Sequence, residues 1–148
     1  MIQHLFDITF LTAAPFWALM ILAPRWHRTR TLVASPLICL PALAIYAILA
    51  LPRLATFFPA LADPNLPGLQ DFLGSSAGAA VAWAHFVAFD LFMGRWIYFD
   101  SRERGIPPAL ISVLLVGTIF FAPLGVLIYL LIRYSRSPRQ APEPVLAG

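Results

Sequence analysis

The sequence predicts an all-α fold, an integral membrane bundle of four transmembrane helices with a short interfacial helix in the second loop. Three observations predict it. The 148 residues are 60% hydrophobic and 11% charged, where a soluble domain is about 45–50% apolar and about 25% charged. Four apolar runs are each long enough to span a bilayer, and basic residues cluster at their ends. No run alternates with the period of two that an outer-membrane barrel strand needs. A soluble fold this small has too much surface for its volume to hide so much apolar side chain. Lipid offers backbone amides no partner, so the runs must be helices.

A spanning helix needs about 20 mainly apolar residues. The first run is 5–23, closed by Pro24 and the basic stretch Arg25, His27, Arg28 and Arg30. The second, 32–51, carries no charge. The third, 77–99, contains His85, Asp90 and Arg95. The fourth, 109–132, is opened by Pro107 and Pro108 and closed by Arg133 and Arg136. Pro15, Pro41 and Pro123 lie inside runs and predict kinks. The small residues from Ser75 to Ala80 permit close helix approach at the start of the third crossing. Loop 52–76 is long for a structureless connector. It holds Phe57, Phe58, Leu66, Leu69, Phe72 and Leu73 among few charges, which predicts a short helix near 68–74 capping the bundle opposite Arg25. Residues 1–134 thus read as one domain, and 135–148, rich in Pro and Ala, as a disordered tail.

The first run does not read as a cleaved signal peptide. It is too long, no Lys or Arg precedes it, and no small-residue cleavage site follows it. The expectation is a bacterial-type protein of the inner membrane, inserted as it is made. Positive charge favours the cytoplasm, and early loops usually weigh more. That places both termini outside, although the arginines after the fourth crossing argue the other way. All ten basic residues are Arg, and no folded polar face gathers them for nucleic acid. The single Cys39 excludes a disulfide within the chain, and there is no CxxC motif, so no metal site is expected.

Chemistry concentrates in the third crossing. A central Asp or Arg opposes insertion by about 2.5–3.5 kcal/mol, while each Leu, Ile, Phe or Val favours it by about 0.3–0.6 kcal/mol. Val81, Phe86, Val87, Phe89, Leu91, Phe92, Ile97 and Phe99 together supply about 2.4–4.8 kcal/mol, which barely balances Asp90 alone. Arg95 can snorkel to an interface; Asp90 is too short to do so. It must be neutral, paired or facing a wet cavity. Intramembrane ionisable groups are functional-site candidates by default, and the bland alternative is a polar network that fixes helix register. His85 and Asp90 lie about 140° apart around the helix and about 7.5 Å apart along it, so they form no dyad on one face. Asp7, Tyr46 and Tyr129 are the polar partners available elsewhere.

The run from Trp83 through His85 and Asp90-Leu91-Phe92 to Arg95 resembles the signature of the abscisic-acid-deficient-four-like, or neoxanthin synthesis, family. Pro15-Phe16-Trp17 with Ala23-Pro24, the stretch from Leu66-Pro67 to Ser75-Ser76, and Phe120-Phe121-Ala122-Pro123-Leu124-Gly125 are similar to its other motifs. The resemblance covers most of residues 10–132. Ala122 departs from it, since plant members carry Cys there. The resemblance implies carotenoid chemistry. Plant members are needed to convert violaxanthin to neoxanthin, an epoxide rearranging to an allenic alcohol. That reaction needs an acid and a base and no redox cofactor, so none is expected. On this reading His85, Asp90 and Arg95 are catalytic, with Asp90 as acid, His85 as base and Arg95 positioning. Trp83, Phe89 and Trp96 then bind an apolar small molecule taken from the lipid membrane, and both His85 and Asp90 are required.

Two other classes stay open. A non-enzymatic carotenoid- or lipid-binding or assembly protein would use the same aromatic side chains. A haem protein would need axial ligands, and of His4, His27 and His85 only the last lies deep in a crossing. Four helices with one charged crossing offer no path for a transporter.

Overall fold

The structure is a computed structural model and describes residues 1–136. Among these residues every regular element is helical. Helix α1 runs Ile2–Leu22, α2 His27–Val33, α3 Leu40–Ala50, α4 Leu54–Ala62, α5 Leu66–Gly74, α6 Ser76–Glu103, α7 Pro108–Phe120 and α8 Ala122–Tyr134. Short 3₁₀ turns, Pro36–Cys39 and Leu51–Arg53, lead into α3 and α4. Three segments are long and apolar enough to cross a membrane: Ile2–Leu22, Pro36–Pro59 and Ser76–Glu103. The expected tail, 135–148, lies outside the described residues apart from Ser135 and Arg136.

Helix α6 is the centre of the fold and touches α1, α3, α5, α7 and α8. It begins at Ser75, whose hydroxyl accepts from the Gly78 amide at 2.9 Å. Such a cap satisfies one of the amides a helix start leaves free. It ends at Gly105, whose φ of 64° suits a residue without a side chain. Gly94 lets α1 come close: a Cβ there would overlap the Trp17 ring. Trp17, Met20, Leu91, Tyr98, Leu115 and Tyr129 form the main core, and Leu49, Phe57 and Ala84 a second cluster towards the α6 N-terminus.

Helix α5 stands where the loop composition predicts one. Asn65 caps it by accepting from the Gly68 amide at 2.9 Å. Phe72 packs edge-on against Phe57, ring centres 4.6 Å apart. The helix meets α6 near its start, while the loop that carries Arg25 meets its far end through the Tyr98–Pro24 hydrogen bond of 3.0 Å.

The fourth apolar run departs from expectation. It is not one helix over 109–132. The chain leaves helical geometry at Phe121 (φ −140°, ψ 65°), and α7 and α8 form a hairpin of two 13-residue arms. Each arm is about 20 Å long. Both outer ends lie at the same end of the fold. Ser112 at the start of α7 donates to the Ile21 carbonyl at 2.8 Å, and Arg133 at the end of α8 pairs with Asp100 at 3.0 Å. The physical cause is Pro123. Its ring would clash with the preceding turn if α7 simply continued. Gly125 then lets the arms close on each other, because a Cβ there would overlap the Thr118 side chain. The tip stays hydrogen-bonded: the Phe121 amide donates to Gly117 and the Gly125 amide to Phe121, both at 2.9 Å. Internal satisfaction of this kind is what apolar surroundings demand. Of the three prolines read as kinks, only Pro15 is inside a helix; Pro41 and Pro123 occupy first turns.

Candidate functional site

The hairpin tip ends level with the middle of α6. There Asp90 lies about 21 Å of helix rise from Ser76 and about 20 Å from Glu103. A groove of about 440 Å³ surrounds it, walled by Phe10 and Trp17 of α1, Trp83 and Phe86 of α6, and Ile119 and Phe120 of the hairpin. It continues past Met93 and over the tip at Ala122 and Pro123. Trp17 is 3% exposed and forms the inner wall, while Phe86 at 55% and Phe120 at 72% form an open apolar rim. Asp90 is half-buried and is the one ionisable group among the lining residues. Among the described residues, no hydrogen bond or ion pair reaches its carboxyl. A lone carboxyl in an apolar groove suits a ligand that is mostly hydrocarbon and carries an oxygen for it to address.

The other sequence-predicted residues are placed elsewhere. The His85 ring stacks on Phe89 at 4.6 Å and lies 5.8 Å from Tyr46 of α3, so it faces away from the groove. This is the 140° separation expected from the helix period. Arg95 donates from Nε to the Val33 carbonyl at 2.8 Å and from Nη2 to the Ala34 carbonyl. Its guanidinium, also packed over Phe99 at 5.2 Å, thus closes the end of α2, where helix carbonyls lack partners. Trp96 meets Tyr129 edge-on at 5.2 Å, beneath Arg133. Of the proposed binding aromatics, only Trp83 reaches the groove, and Phe6 packs on it at 5.5 Å.

Sequence reasoning missed the groove's other walls, Phe10 and Trp17 of α1 and Ile119 and Phe120 of α7. It also missed a polar hub. Asp100 accepts from Arg104 at 2.8 Å, from Arg133 at 3.0 Å and from the Tyr129 hydroxyl. Tyr129 is fully buried. The hub fastens the hairpin to α6 and so sets the depth of the tip. Asp100→Ala is expected to lower stability by about 3 kcal/mol and Tyr129→Phe by about 1.5 kcal/mol, within the range for hydrogen bonds to a charged group. Thermal unfolding in detergent measures both, and unchanged midpoints would mean that apolar packing alone holds the hairpin.

The fold and groove define a class: an all-helical membrane protein with three long apolar helices and a shorter helical hairpin whose tip meets a single carboxyl. Residues 4–129 match the ABA DEFICIENT 4-like family, and the chain belongs to it. It is similar to the Arabidopsis thaliana protein named Protein ABA DEFICIENT 4, chloroplastic, with 29% identity over 110 residues, covering 70% of this chain and 50% of the relative. The match thus spans half of that relative's length. No solved structure matches.

Proposed function

We propose that this protein acts in carotenoid metabolism on an oxygen-bearing isoprenoid drawn from the bilayer, as a redox-neutral isomerase that opens an epoxide to an allenic alcohol. The observation that carries the reading is Asp90, in an apolar groove at mid-helix and without a hydrogen-bond or ion-pair partner among the described residues. One carboxyl suffices for such a step. Its proton goes to the epoxide oxygen as the carbon–oxygen bond breaks. The carboxylate then takes a proton from the adjacent chain carbon, and the carbon–hydrogen electron pair becomes the new double bond. Atoms and charge balance, and Asp90 ends protonated as it began. Donor and acceptor are one group, so His85 is not needed as base. Trp83 lines the substrate's path; Arg95 and Trp96 support the fold, and His85 and Phe89 stack on each other outside the groove.

The test is expression in cells that make violaxanthin, with pigments resolved by chromatography. An allenic product supports the isomerase. Pigment that co-purifies with the protein but stays unchanged favours the binding-protein alternative, and the absence of both product and bound pigment overturns the carotenoid reading.

We further propose three crossings, made by α1, the Pro36–Pro59 segment and α6, with α7 and α8 entering and leaving on one side. In this arrangement Arg25, Arg28, Arg30, Arg102, Arg104, Arg133 and Arg136 share a face, and the opposite face has Arg53 with Asp63 and Asp71. Positive charge then puts the N-terminus outside and the end of α8 in the cytoplasm. This replaces the expectation that both termini lie outside.

A further inference from the structure

We infer that the groove takes only one end of its ligand, admitted sideways from the lipid, while the rest of the molecule stays in the bilayer. The inference rests on the reading of Asp90 as the group that addresses the ligand's oxygen. Sites that bury a drug-sized molecule whole enclose about 300–1,000 Å³. The groove around Asp90 holds about 440 Å³ against Trp17 and Val87 and a further, more open part of about 620 Å³ past Met93 and the hairpin tip. Its lining on α6 runs only from Trp83 to Met93, about 15 Å of helix rise, which takes a ring-sized end group and not a full-length carotenoid. The inner wall is closed by Trp17 and Val87, 3% and 5% exposed. The rim is open and wholly apolar, with Phe86, Phe120, Phe121 and Leu124 between 55% and 72% exposed. A ligand therefore has no exit through the protein, and its chain leaves past that rim. The half-length hairpin makes the opening. Its tip stops level with Asp90, while α6 continues for about 21 Å towards Ser76. The site reads the end group and is indifferent to chain length.

The consequence is measurable with the full chain in lipid nanodiscs, using zeaxanthin and its short ring analogue hydroxy-β-ionone, with concentrations referred to the lipid phase. Hydroxy-β-ionone is expected to displace zeaxanthin with an apparent affinity within about threefold of the carotenoid's own. A site that gripped the whole chain would make it weaker by more than a hundredfold, which would overturn the inference. Ile119→Trp fills the groove from α7 and is expected to abolish binding of both probes. Val113→Trp, on an exposed part of the same helix outside the Asp90 groove, should leave binding intact and controls for folding. Asp90→Leu is expected to weaken both oxygenated probes at least tenfold and to spare β-carotene. Retained binding of both probes in Ile119→Trp, or no binding of either by the parent, would also overturn it. Binding without any conversion in cells leaves the inference standing and removes the isomerase. Conversion that survives Ile119→Trp does the reverse.

Discussion

Asp90→Asn is expected to lower epoxide conversion by a factor of about 10²–10⁴, the range over which a positioned general acid contributes. Asparagine keeps the size and planarity of the side chain. It cannot deliver the carboxylic proton, and it leaves no carboxylate to take a proton back. The loss should appear in turnover at matched membrane levels, with little change in thermal stability, because among the described residues no hydrogen bond or ion pair depends on this carboxyl. His85→Gln gives the contrast. Its ring stacks on Phe89 and faces Tyr46, so conversion should stay within about threefold of the parent, short of the effect of a general base. Arg95→Lys loses the planar fork that serves two carbonyls at the end of α2, so it should lower stability before it lowers rate. Pigment analysis in cells expressing each variant decides the matter. If Asp90→Asn converts substrate as well as the parent, proton transfer by this residue is wrong. If His85→Gln loses conversion as deeply, the single-carboxyl scheme is wrong.

The parts of this site legible in the sequence were those that depend on one helix. The insertion balance singled out Asp90 because a short charged side chain has no route to water from mid-helix. The helix period separated His85 from it. Helix α5 was legible because loop 52–76 is long for a structureless connector and holds many apolar residues among few charges. The hairpin was not, because hydropathy sums apolar character along the chain and has no term for its direction. A 24-residue run that crosses and one that folds back score alike. The local cue was Pro123, set among Phe121, Ala122 and Gly125, and proline in a membrane helix more often signals a bend than a reversal. The Asp100 hub was illegible for a related reason. Its partners Tyr129 and Arg133 lie 29 and 33 residues away and meet Asp100 only once the chain has turned back. Reading a continuous fourth crossing therefore hid both the wall of the groove and the clasp that positions it.

That reversal gives the sharpest test of the fold. In a Cys39→Ala background, single cysteines at His27, Asp63 and Ser135 are exposed to a membrane-impermeant maleimide in intact cells and after lysis. His27→Cys and Ser135→Cys are expected to be protected in intact cells and labelled only after lysis, while Asp63→Cys labels from outside. The pairing of His27 with Ser135 follows from contacts that do not depend on orientation. Ser112 bonds the end of α1, Arg133 bonds Asp100 near the end of α6, and Arg104 donates to the Arg136 carbonyl at 3.0 Å. The hairpin thus starts and finishes beside the connection between α1 and α3 that carries Arg25, Arg28 and Arg30. Arms of about 20 Å also fall short of a hydrocarbon core about 30 Å thick. The protected side follows from charge. Seven arginines lie on the His27 face against Arg53 on the other, and the excess of positive charge stays in the cytoplasm. Four crossings instead put Ser135 on the side of Asp63. Joint labelling of Ser135→Cys and Asp63→Cys from outside would therefore overturn the hairpin, and with it the groove beneath its tip. If His27→Cys and Ser135→Cys label together from outside while Asp63→Cys is protected, the hairpin stands and only the orientation is reversed.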